Sequence, residues 1–101
     1  MNVFDKVRLE MRLREIGNRM YTLACAVMQF NMADEEIRNL AINEPNRYNH
    51  LVKLAEEEFT LSVEEANIFL QLERYEDYEQ MTRHQIPIIE KSLWTIKQAA
   101  A

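Results

Sequence analysis

The sequence predicts an all-α protein: a compact helical bundle of four to five helices with a long central N-terminal helix. Three observations carry that expectation. Leu9, Leu13, Ile16, Met20, Leu23, Val27 and Phe30 recur at spacings of four and three, a heptad seam on one uninterrupted helix. One Gly and two Pro in 101 residues leave little material for tight turns, which favours long helices over sheets. Apolar residues at 48% and charged residues at 29% fit a folded globular chain rather than a disordered one. A chain of this length is expected to form one domain, residues 1–101, with its own core.

The first helix is expected over about residues 3–31. Its first half is amphipathic, with Lys6, Arg8, Glu10, Arg12, Arg14, Glu15 and Arg19 off the seam. Its second half, from Met20 to Phe30, is apolar on nearly every side, so this half is expected to be surrounded and to carry the core. Asp34, Glu35 and Glu36 mark the start of a second helix over about 33–43, where the helix dipole favours negative charge. Pro45 suits the first turn of a third helix, about 45–59. Ser62-Val63-Glu64-Glu65 has the spacing of a capping box and predicts a fourth helix over about 63–84. Pro87 is expected to break or kink it, leaving a last helix over about 87–99 with Ile89, Leu93 and Ile96 on one face. At ~40 Å the first helix outruns its neighbours, so a second copy packing on it, a homodimer, is one expected outcome.

Charge is unevenly spread. The net value is −5, but residues 34–79 carry a balance of −9 between two segments of +2. Bulk affinity for nucleic acid is therefore not expected, because phosphate binding needs surplus Lys and Arg. The charged N-terminus argues against a secretory leader, and the least polar stretch is too short to span a membrane. An intracellular, cytoplasmic protein is the expectation.

Few residues offer chemistry. Cys25 is the one cysteine and lies in the most apolar stretch, where burial would raise a thiol's pKa and quench it. His50 and His84 have no carboxylate at helical spacing to orient them. Arg47 and Met81 occupy the positions where a bundle metal site would need Glu three residues before His. No catalytic residue, metal ligand or cofactor is expected, and the chain is read as a non-enzyme. Leu51 to Leu72 has a helix-turn-helix outline, yet Glu56, Glu57, Glu58, Glu64 and Glu65 crowd the turn and would repel phosphates.

Interaction surfaces remain. Trp94 has Glu90, Lys91, Lys97 and Gln98 as helical neighbours, so it either projects as an interface anchor or folds over the end of the bundle. Glu73, Tyr75, Glu76, Asp77, Tyr78 and Glu79 mix aromatics with anions, as surfaces that dock on basic partners do. The functional expectation is a small protein–protein interaction module that acts through helical surfaces: a regulator, adaptor, inhibitor or assembly factor. The alternative is a nucleic-acid-associated regulator whose dimer gathers Arg8, Arg12, Arg14 and Arg19 into one basic patch.

Overall fold

The computed structural model describes residues 1–101 and is helical throughout, without strands. Helix α1 spans Val3–Val27, α2 spans Asp34–Asn43 and α3 spans Pro45–Gln71. The last rod is α-helical over Tyr75–Gln80 (α4), π-helical over Met81–Gln85 and α-helical again over Ile86–Gln98 (α5). The all-α bundle with a long N-terminal helix is therefore what the chain forms.

Local chemistry explains most boundaries. The Asn2 Oδ1 accepts the Asp5 amide at 2.8 Å and caps α1. Near Val27 the ladder tightens: the Gln29 and Phe30 amides donate three residues back, to Ala26 and Val27. That turn swings Phe30 under Arg47, whose guanidinium lies 5.1 Å from the ring centre. Asp34, Glu35 and Glu36 fill the first turn of α2, and Pro45 opens α3, both as expected.

Helices expected over 45–59 and 63–84 are corrected by the structure. The chain runs as one helix through Ser62 and breaks ten residues later. Ser62 is fully buried, and its Oγ donates to the Phe59 carbonyl oxygen at 2.7 Å instead of capping a new helix. The true break uses neither Gly nor Pro. Glu73 adopts φ 60°, its amide donates to Leu70 and the Arg74 amide donates to Phe69 at 2.8 Å, a Schellman closure. Pro87 does not end the rod either. The π-turn carries the backbone past it, with the Ile86 amide reaching the Met81 carbonyl.

The centre of the molecule falls to α3. It contacts every other helix, whereas α1 packs on α3 alone. One core cluster joins Ile16 and Leu23 of α1 to Leu54, Leu61 and Ile68 of α3. A second joins Ile37, Tyr48, Leu51, Ala55 and Ile96 at the other end. The heptad seam is thus sheltered on one side by one helix. The expectation that the second half of α1 is surrounded does not hold, since Tyr21, Cys25 and Met28 are exposed. The thiol of Cys25 faces water because it lies about opposite the seam on the helix wheel.

Candidate functional site: an uncovered face of α1 and its groove

Helix α1 carries two apolar stripes. The first is the seam on α3. The second begins with Phe4, Val7 and Met11, spaced by three and four, and no element of the chain covers it. Phe4 is 87% exposed, far more than an aromatic ring of its size ordinarily shows. The helices run antiparallel, so the start of α1 meets the end of α3. There they enclose an open groove of about 1090 Å³, lined by Val3, Phe4, Val7 and Met11 from one side and Thr60, Val63 and Asn67 from the other. Leu9 and Ile68 also line it.

Ion pairs set the geometry of this cleft. Arg12 donates through Nε and Nη2 to both oxygens of Glu64, at 2.6 and 2.9 Å, and through Nη1 to Glu15 at 3.1 Å. One heptad on, Arg19 donates to both oxygens of Glu57, at 2.5 and 2.7 Å. These forked contacts hold α1 and α3 in register and draw the carboxyls of Glu64 and Glu57 below the usual range, chiefly through the hydrogen bonds themselves. Glu58 and Glu65 behave oppositely. Each is half-buried, and burial pushes its carboxyl up; Asp77 adds to the rise at Glu65.

The same pairs bear on the arginine patch. Arg8 pairs with Asp5 at 2.6 Å, and Arg12 and Arg19 are held as described, so only Arg14 of the four lacks an ion-pair partner. Three of the four charges are compensated within the chain.

Trp94 projects from α5 and is 59% exposed, the first of its two expected placements. Tyr75 is exposed and Tyr78 half-buried on α4. Asp77 pairs with Arg74, and Glu79 with Arg83; Glu73 stands in the α3–α4 turn, and Glu76 is exposed. Trp94 lies sixteen residues beyond Tyr78, about 24 Å along the rod, so the structure does not gather these residues into one site.

Sequence reasoning missed Phe4, Val7, Met11 and Val63. The signal was present as a second heptad register on the same helix, overshadowed by the more regular seam. His50 and His84 are both exposed, and no group of three or more His, Cys, Asp or Glu side chains converges as a metal site. No helix is long and apolar enough to cross a membrane. The chain matches no known protein family, no curated protein and no solved structure.

Proposed function

We propose that the protein is a small non-enzymatic protein–protein interaction module, a regulator, adaptor, inhibitor or assembly factor that works through helical surfaces. The observation that carries this reading is the uncovered apolar face of α1 with its groove. Apolar area left in water forfeits roughly 25 cal/mol per Å², and contiguous patches of this kind mark docking sites on soluble proteins. The mechanism is helix-face docking, in which apolar side chains at i, i+3 and i+7 anchor a partner surface. Trp94 supplies a separate exposed aromatic on the other rod.

The test compares two folded variants with the native chain by affinity capture, followed by direct binding to the purified partner. Phe4→Asp with Val7→Asp is expected to abolish docking on the α1 face. Trp94→Ala is expected to weaken only partners that use α5. Retention of every partner and of self-association by both variants would remove the reading.

A further inference from the structure

The second stripe of α1 does not end at Met11. Continued at alternating spacings of three and four it passes Arg14 and Asn18, then Tyr21, Cys25 and Met28. All eight positions are exposed. Met28, the residue that caps the helix, is 81% exposed and Tyr21 is 73% exposed. The pattern reads the same from either end: three apolar residues, two polar ones, three apolar ones. A stripe with that symmetry fits itself when two copies run antiparallel.

We infer that the occupant of this face is a second copy of the chain, packed α1 against α1 about a two-fold axis that crosses the stripe between Arg14 and Asn18, at the level of residue 16 along the helix. The register follows from the spacing. Phe4 lies opposite Met28 of the other copy, Val7 opposite Cys25, Met11 opposite Tyr21, and Arg14 opposite Asn18. Each pairing brings a first heptad position against a fourth, the layer type of antiparallel coiled coils. Arg14 and Asn18 make no ion pair or side-chain hydrogen bond within their own chain, and they form the polar central layer that fixes register. Gly17 flanks the axis, and a Cβ built there meets nothing within 4 Å, so the two backbones have room to approach. The groove beside Phe4 and Val63 then receives the far end of the other copy's α1.

Three magnitudes favour a second copy over a short peptide. A folded monomer of 12.1 kDa is expected to expose about 6,000 Å². This chain exposes 7136 Å², an excess of about 1,100 Å², more than the ~800 Å² per partner that a standard interface removes. Its radius of gyration is 15.8 Å against about 13 Å for a compact chain of this length. The six apolar side chains of the stripe offer on the order of 700 Å² per copy at their observed exposures. The inference deepens the docking reading by naming the partner of the α1 face.

Sedimentation equilibrium of the full chain, with circular dichroism as a folding control, tests it first. A dimer is expected, and Met11→Lys is expected to raise the dissociation constant by about 100-fold or more. Val7→Cys tests the register. Oxidation of that variant is expected to yield a covalent dimer bonded to the native Cys25, because facing layers bring Cα atoms near disulfide range. The native chain is expected to stay uncrosslinked, since its two Cys25 thiols lie about 27 Å apart along the axis. A monomer at every concentration, a dimer indifferent to Met11→Lys, or Cys25–Cys25 bonding in the native chain would each overturn the inference. A monomer that still loses a separate partner through Phe4→Asp overturns the second copy alone and leaves the docking function standing.

Discussion

The Tyr48 hydroxyl donates to the Ile96 carbonyl oxygen at 2.7 Å, tying the first turn of α3 to the last turn of α5. Four residues on, the Ala100 amide donates to the Lys97 carbonyl instead, so the phenol supplies the donor that Ile96 lacks. Tyr48 is buried, and burial holds its phenol in the protonated, donating form. Tyr48→Phe keeps the ring and deletes the bond. It is expected to cost about 1–2 kcal/mol in chemical denaturation, with an unchanged dependence on denaturant. A stability equal to that of the native chain would show that water serves the Ile96 carbonyl equally well.

Ser62 separates two accounts of α3. As a helix cap its hydroxyl would be worth about 1 kcal/mol, whereas a mid-helix hydroxyl bonded back to Phe59 contributes little. Ser62→Ala is expected to change the unfolding free energy by less than about 0.5 kcal/mol, in either direction.

Glu73 occupies the left-handed region, where a side chain with a Cβ is strained by roughly 1–2 kcal/mol. Glu73→Gly relieves that strain but loosens the unfolded chain. A net gain of about 0.5–1 kcal/mol is expected, visible as a rise of several degrees in Tm. A loss of stability would mean that the Glu73 side chain contributes more than its backbone costs.

Acid titration should separate two pairs of glutamates on α3. Glu57 and Glu64 have folded pKa values below the unfolded one, so their contribution is present above the unfolded value near 4.3 and fades as pH falls through the folded one. Glu64→Gln is expected to lower stability at pH 7 and to make no difference near pH 2. Glu58 and Glu65 have raised folded values, so what they contribute is present below the unfolded pKa and is lost as pH rises through the folded one. Glu58→Gln and Glu65→Gln are expected to stabilise at pH 7, by up to about 1 kcal/mol each, and to lose that advantage near pH 3. Thermal melts across this range distinguish the two signs.

How much of this was legible in the sequence depended on what a periodic pattern can say. The seam from Leu9 to Phe30 announced itself because six consecutive spacings agree, and its partner helix does cover it. The turn expected at Ser62 was misplaced because a hydroxyl three residues before Glu65 has the same spacing whether it faces an amide or a core. The real turn at Glu73 carries no breaker residue, so propensity offered no sign of it. The apolar second half of α1 looked enclosed because composition records how oily a helix is, not which neighbour covers which side. The uncovered apolar face of α1 was readable only by asking whether residues off the seam had a period of their own. The helical neighbours of Trp94 left two placements open, and its exposure in the structure selects the projecting one.

The π-turn at Met81–Gln85 has a consequence for angular phase. In an unbroken α-helix, Ile89, Leu93 and Ile96 would stand about 60–120° around the axis from Met81. One wide turn adds a residue without adding its rotation, which returns all three to within about 40° of the Met81 line. Excising one residue between Thr82 and Gln85 would therefore let the rod close into an unbroken α-helix with the final oily ridge still turned towards α3, whereas adding one without a second wide turn would swing that ridge by about 100° while every side chain on it stayed chemically intact. Chain length at this point is as much a determinant of the bundle as residue identity.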